Sequence, residues 1–563
     1  MHDMVIRGGT VIDGSGGEPR TADIAVTDGK IVSADGKAGP GRREIQADGA
    51  LVTPGWVDIH THYDGQATWD ADLAPSVWHG VTTTVFGNCG VGFAPVKPGT
   101  EPYLINLMEG VEDIPEIVLS EGLDFRWESF PEYMNVLAET PRTMDIGTQV
   151  PHAALRFYCM GERGIDHGAL PTEDEIAMMG RLLEEGLAAG ALGFSTSRTI
   201  KHRAADGRYT PSLTAREPEL MGLAAAMKRA GKGIIQVNSD FEPGDFDTLR
   251  DIAGHAGRPL SLLLIQVDNA PERWRQTRDG IHAANAAGLN VNGQVASRAI
   301  GILMGLETSI HPFITHRTWR DMADLSPAER YQRLAGDAEL RRALVEERPQ
   351  NGHTKWMEFA FTRAVRMQEP LDYEPDLANS VKGLSARNGT DPWQQVLDMM
   401  LADNGKAMLL FPFENYNAGN LDVIREMLTD PDTVCGVADG GAHVGLICDA
   451  SAPTTLLTLW GRDRTRGARI PLPYLVKKQA RDTALTYGLT DRGLLAPGMK
   501  ADINVIDFEN LRARMPEVVY DLPAGGKRLM QRADGYRHTF VSGVETVSGG
   551  ELTGARPGTL LRG

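Results

Sequence analysis

The chain has 563 residues, long enough to bury a core larger than one small domain needs, and its 42% hydrophobic and 23% charged residues are those of an ordinary globular protein rather than a disordered one. A formal charge of −18 argues against nucleic acid or an anionic membrane surface as the main partner, since both select basic patches. Four cysteines (Cys89, Cys159, Cys435 and Cys448) without a Cys-x-x-Cys pair make no disulfide framework. With no basic-then-apolar start and no run of ~18 apolar residues, a cytoplasmic protein outside the membrane is expected.

The first fifty residues alternate as strands do: Met4 to Arg7, Gly9 to Asp13, Asp23 to Thr27 and Lys30 to Ala34. Asp-Gly dipeptides at 13–14, 28–29 and 35–36 mark turns. The last eighty residues read alike, with a strand from Ala501 to Asp507 and a turned pair across Ser542-Gly543. Two β ends flanking a different middle predict one small β-sandwich domain assembled from residues 1–53 and 485–563.

Residues 54–484 follow another rhythm. Apolar segments end at His62, Asn88-Cys89, near His152, Ser197-Arg198, Gln236, Gln266, Gln294 and Asp439. Helical patterns such as Thr172–Ala189, Glu217–Ala230 and Trp274–Ala287 fill most gaps. Eight strands, most followed by a helix, predict an α/β fold, a (β/α)8 TIM-like barrel whose active site lies at the strands' carboxyl ends. Several segments share a Gln-Val ending, at Gln149, Gln236, Gln266 and Gln294. Between Arg298 and Asp439 the chain spends roughly 140 residues where one unit needs about 30. The insertion, centred on about 300–375, is helical and charge-dense from Pro327 to Glu347 and carries Trp319, Trp356 and Phe359. It is either a lid over the barrel mouth or a contact between copies in a homo-oligomer.

The chemistry concentrates at strand ends. In Val57-Asp58-Ile59-His60-Thr61-His62 the two imidazoles fall on one face of an extended segment, spaced to share a divalent cation, with Asp58 beside them. Asp439 ends the apolar segment Val-Cys-Gly-Val-Ala-Asp and is followed by Gly440-Gly441-Ala442-His443.

These motifs, with the β ends, the Gly87-Asn88-Cys89-Gly90 turn, Gly193-Phe194-Ser195-Thr196-Ser197 and the closing Asp491-Arg492-Gly493 … Pro497-Gly498 … Ala501-Asp502 pattern, resemble the amidohydrolase superfamily. Over nearly its whole length the chain looks like the N-acyl-D-amino-acid deacylase (D-aminoacylase-like) branch. The resemblance implies that His60 and His62 hold a metal with Asp439, which also takes a proton from the attacking water and passes it to the leaving nitrogen. It places Cys89 as a thiolate metal ligand; the alternative for this residue is a small side chain packed in a tight turn.

The family's second metal site needs histidines on strands five and six, where this chain has Gln236 and Gln266. An amide oxygen replaces imidazole poorly. Either one divalent ion per chain remains, with zinc expected, or the strand alignment is off; the glutamines are then substrate-binding groups or part of an internal hydrogen-bond layer. No lysine stands at a strand end as a carbamylated bridge would require.

Arg198 and Arg298, ending strands four and seven, are candidates to grip a substrate carboxylate or, alternatively, to form ion pairs. His202 follows strand four as a candidate substrate contact. His443 either supports the metal from behind or shapes the Gly-Gly turn. The expected activity is metal-dependent hydrolysis of the C–N amide bond of a small-molecule substrate, a linear N-acyl amino acid of D configuration. The alternatives are a cyclic amide (lactam, imide or hydantoin) and a binding or scaffold protein of weak activity.

Overall fold

Alternating apolar residues at both chain ends leave half-buried faces that pair with each other across more than 400 positions. The computed structural model describes residues 1–563. Strand His2–Val11 pairs antiparallel with Arg20–Thr27, which pairs in turn with Lys30–Gly36, and parallel with Gly41–Gln46 and Leu51–Pro54. Leu51–Pro54 then pairs with Ile503–Ile506, which joins Tyr536–Val541, Val544–Ser548 and Glu551–Leu552, so nine strands from both ends make one sheet. Its apolar face packs Ile6, Val11, Ile24, Val52, Ile503, Val505 and Phe540. Thr27 and Lys30 face each other across Asp28 (φ 50°) and Gly29 (φ 69°), the two left-handed positions that an Asp-Gly hairpin supplies.

The middle of the chain forms parallel strands. Trp56–Asp58 pairs with Val81–Phe86, and that strand with Asp145–Thr148, which runs on through Gln149 into Val150–Pro151. Pairing continues through Gly193–Arg198, Ile234–Ser239, Leu260–Leu263, Val291–Val295 and Thr433–Cys435. A parallel bridge from Thr61 to Gly440 returns the eighth segment to the first. The outer helices carry local signals: Thr172 and Glu175 form a reciprocal capping box on Glu173–Ala189, and Gly190 ends that helix at φ 112°. Helices Glu217–Ala230 and Arg273–Ala286 lie within a residue of their sequence-predicted bounds. An 86-residue apolar cluster fills the space between strands and helices.

The long insertion builds its own three-stranded sheet from Ile300–Met304, Leu409–Glu414 and Val365–Arg366. Under it lies a separate core with Phe313, Trp319, Leu334, Phe361, Trp393 and Phe411. The predicted helical stretch from Pro327 to Glu347 is two helices, Pro327–Gly336 and Ala338–Glu346. Asp337 leaves helical geometry between them, and its carboxylate caps the second at Leu340 N. No helix of the chain is long and apolar enough to cross a membrane.

Candidate metal centre

Past Asp58 the first parallel strand stays extended between its neighbours: Thr61 N donates to Val85 O, His62 N to Gly440 O, and Asp439 N to His60 O. This ladder holds both imidazoles on one face, buried, with ring centroids 5.5 Å apart. His60 Nε2 lies 3.4 Å from Cys89 Sγ and 3.5 Å from Asp439 Oδ1; His62 Nε2 lies 3.8 Å from the same Asp439 oxygen. Donor atoms of His60, His62 and Cys89 fall within 4.8 Å of one another. The two histidines, the cysteine and the aspartate, predicted from separate motifs, thus converge at the carboxyl ends of the first, second and eighth parallel segments.

The backbone is bent to bring them there. Cys89, Val437, Asp439 and His443 all have left-handed φ, between 47° and 57°. Such values cost a non-glycine residue on the order of 1–3 kcal/mol and gather at functional sites. Gly87 (φ 74°) and Gly90 (φ 69°) flank Cys89; a Cβ on the first would stand 2.5 Å from Gln149 O, and on the second 2.8 Å from Thr196 Cα. The room these glycines make is taken by neighbouring strands rather than by a ligand.

Three glutamines of the Gln-Val endings form a hydrogen-bond layer beneath the donors. Gln149 Nε2 donates to Asn88 Oδ1, and Gln236 Oε1 accepts from Cys89 N at 2.8 Å. Gln294 Oε1 stands 2.7 Å from His60 Nδ1, while its Nε2 donates to Ser261 Oγ. With the amide so oriented, His60 Nδ1 carries the proton and its Nε2 lone pair faces Cys89 and Asp439.

Gln266 is not a partner of Gln236. The sixth strand stops at Leu263, and Ser261 is the residue opposite Gln236. Gln266 lies in the following loop, where its N donates to Asn415 Oδ1 and its Nε2 to Pro271 O. The shared Gln-Val endings suggested equal heights in the ring, but the sixth strand ends three residues before Gln266.

Both arginines take the ion-pair alternative. Arg198 bonds Asp245 at 2.9 Å and Ala215 O; Arg298 is buried against Asp449 at 2.9 Å and lies over the Tyr373 ring, 4.0 Å from its centroid. A guanidinium committed to a carboxylate has little left for a substrate anion, so these positions read as ion pairs. Arg464 is likewise paired, with Glu374 and Asp422.

His202 is half-buried beside the cluster: its Nδ1 meets Ser197 Oγ at 3.0 Å and its Nε2 meets Asn238 Nδ2 at 3.2 Å, and Asn238 also touches Cys89 Sγ at 3.7 Å. Asp58 accepts from the backbone N of His60, not from either ring.

One member of the site carries no strand motif. Glu112, 1% exposed, sits with Oε1 3.2 Å from His62 Nδ1 and Oε2 3.6 Å from His443 Nε2. In Leu-Met-Glu-Gly-Val-Glu-Asp it reads as one more polar residue of an amphipathic helix, so nothing local could have found it.

The electrostatics lean one way. Burial lowers the imidazoles, His60 and His443 to about 4, His202 to about 3 and His62 well below its ordinary value, so all are neutral. Their contacts with carboxylates are therefore not ion pairs. Burial likewise pushes Asp439, Glu112 and the Cys89 thiol well up, reinforced by nearby acids (Asp449 and Asp58 at Asp439, Asp439 and Asp64 at Glu112, Glu112 and Asp439 at Cys89), and Asp58 and Asp64 to about 7. Asp58 Oδ2, His62 Nδ1 and Glu112 Oε1 have no hydrogen-bond partner. Neutral imidazoles, a thiol and buried acids without a compensating cation form a donor set that fits a divalent metal, and nitrogen, sulfur and carboxylate donors together suit zinc.

The chain is similar to known proteins over nearly its whole length. Residues 43–551 match the profile of the amidohydrolase family. An N-acyl-D-aspartate deacylase of Alcaligenes xylosoxydans xylosoxydans is 27% identical over 99% of this chain and 95% of its own length. The structure of a D-aminoacylase described as having a binuclear metal centre, with one-metal activation and second-metal attenuation, superposes over all of both chains with a TM-score of 0.66 at 23% identity. That of an N-acyl-D-glutamate deacylase from Bordetella bronchiseptica, complexed with zinc and a phosphonate mimic of the tetrahedral intermediate, does so with a TM-score of 0.65 at 23% identity.

Proposed function

From the premise that the chain belongs to the amidohydrolase family and is a hydrolase of carbon–nitrogen bonds other than peptide bonds, we propose that it cleaves the amide bond of an N-acyl amino acid of D configuration. The eight parallel segments are read as a (β/α)8 barrel, with the site at the end where such barrels carry their chemistry. The observation that carries the proposal is the convergence of His60, His62, Cys89 and Asp439 on one small volume. N-acyl-D-amino-acid deacylases among the relatives support the substrate class.

A divalent cation held by these four residues would supply Lewis-acid polarisation and a lower pKa for water. The chain's own groups do the rest. Asp439 accepts the proton of the attacking water and returns it to the leaving nitrogen. Gln294 fixes the tautomer of His60, and Gln236 fixes the Cys89 turn through its backbone N–H. His443, 28% exposed at its side chain, stands at the rim on the Glu112 side, and His202 with Asn238 stands at the rim beside Cys89; both rims are placed to contact substrate.

We read the donors as holding one tightly bound ion per chain: Gln236 spends its oxygen on Cys89 N, and the sixth strand sets Ser261, not a histidine, opposite it. The test is elemental analysis of purified protein, followed by a panel of N-acetyl-D- and L-amino acids and hydantoins. About one metal per chain with turnover of N-acetyl-D-amino acids is expected. Turnover of hydantoins alone would move the substrate to cyclic amides, and no metal with no turnover would leave a scaffold.

A further inference from the structure

Helix Glu101–Glu112 lies outside the ring of parallel strands, yet its last residue enters the metal centre. Asp113 follows at φ 50° and turns the chain, and its carboxylate accepts from Gly445 N at 3.2 Å. The Glu112 carbonyl accepts from His443 N. The helix end is thus tied by backbone to the loop that follows Asp439, and the Glu112 side chain has little freedom to turn away.

That side chain is costly where it is. It is buried, no lysine or arginine pairs with it, and its Oε1 has no hydrogen-bond partner. If it only filled space, leucine or methionine would fill it without burying a carboxyl. What it faces explains it. Its Oε1 stands 3.2 Å from His62 Nδ1, off the hydrogen-bonding angle, and that nitrogen has no other partner; its Oε2 stands 3.6 Å from His443 Nε2. A small rotation of either ring or carboxyl closes a hydrogen bond, after which His62 Nδ1 holds the proton and Nε2 faces Asp439. Gln294 does the same for His60 with a neutral amide. A carboxylate also raises the basicity of the imidazole it holds.

We propose that Glu112 is a positioning residue: it orients His62 as a metal ligand and ties His443 to the same carboxylate, so that metal retention depends on a helix outside the parallel strands. This rests on the metal-centre reading above. Glu112→Met and Glu112→Gln test it, with folding followed by circular dichroism, zinc affinity by competition with a chromophoric chelator, and ligand geometry by the visible spectrum of the cobalt-loaded protein.

Folded Glu112→Met is expected to bind zinc about 10–100-fold more weakly and to show a changed cobalt spectrum. Glu112→Gln, which still accepts from His62 Nδ1, is expected to recover part of that loss. If Glu112→Met does not fold, Glu112→Gln decides alone: affinity and spectrum equal to wild type overturn the proposal, and a several-fold weaker affinity supports it. Both variants binding like wild type also overturn it while leaving the metal centre intact. A wild-type protein that binds no zinc removes the centre itself, and this inference with it.

Discussion

At the amino end of the parallel strands Asp145 meets Arg492 at 2.6 Å and Lys500 at 3.0 Å, with Asp502 on Lys500 and Asp491 on Arg492. At the carboxyl end Asp439, Glu112, Asp64 and Cys89 surround four neutral imidazoles, with no lysine or arginine bonded to these acids. Both clusters have buried centres, Asp145 and Arg492 in one and Glu112 and His62 in the other, and both join distant parts of the chain. Burial alone would raise Asp145, but Lys500 and Arg492 outweigh it and hold that carboxyl below its ordinary value. Asp439 and Glu112, without such partners, are pushed well up. Arg492 and Lys500 precede the strand Ile503–Ile506 of the nine-stranded sheet, so the balanced cluster ties that sheet to the ring and serves structure. In the unbalanced one the acids have no cationic side chain to pair with, and the donor set fits a divalent cation. A buried charge is tolerated only with a partner, and where the chain omits the partner a ligand is implied.

The sharpest way to break this contrast is at Asp439. Asp439→Asn should fold normally, keep part of its metal and lose roughly 10² to 10⁴-fold in turnover, because an amide cannot carry the proton. Steady-state kinetics beside metal analysis checks it. Turnover within about threefold of wild type, far short of that loss, would sink the proton-shuttle role and shift attention to His443 or His202.

The opposite cluster should respond in stability instead. Arg492→Ala leaves Asp145 short of one buried partner and should cost about 3–5 kcal/mol in chemical denaturation, with zinc affinity of the folded fraction unchanged. Because folding lowers the Asp145 pKa, its contribution is whole above the unfolded value near ~4 and is lost as pH falls through the lower folded value. The difference between wild type and Arg492→Ala should therefore shrink in acid. Equal stability at pH 7 would show that the ion network does not hold the two parts together.

Cys89→Ser asks whether the thiol belongs to the donor set or only packs. A ligand thiolate replaced by a hydroxyl should lower zinc affinity strongly and change the cobalt charge-transfer band, whereas a packing residue would leave both in place. The smallest effect is expected at Gln294. Gln294→Leu removes the group that holds His60 Nδ1, with its bond to Ser261 Oγ, and should weaken metal binding by about 10–100-fold without loss of fold. Chelator competition reads it, and an unchanged affinity would mean that the backbone ladder alone orients the ring.

Much of this molecule was legible because local rules carry it. The Asp28-Gly29 turn needs two left-handed residues, and the Thr172 capping box and Gly190 stop bound one outer helix. His60 and His62 share a face because side chains alternate on an extended segment. The two glycines around Cys89 announced a sharp turn, though not that neighbouring strands would occupy the space they leave. Where the reading failed it lacked register. Gln266 was placed level with Gln236 as the sixth-strand counterpart, yet hydrogen bonding puts Ser261 there and leaves Gln266 in a loop. Arg198 and Arg298 were candidates for a substrate anion, and only the folded chain shows Asp245 and Asp449 against them.

The amino-acid sequence by itself determined the class of chemistry, since two imidazoles one pleat apart and a carboxylate ending a distant apolar segment suit a divalent cation wherever the strands lie. It also determined most outer helices and the pairing tendency of both ends, through periodicity and caps that act over a few residues. Tertiary structure decided which atoms have partners. Gln294 at His60, Glu112 between His62 and His443, and Asp145 between Arg492 and Lys500 are contacts between segments up to hundreds of residues apart. Their charge balance depends on burial and distance, and neither is set until the chain closes on itself.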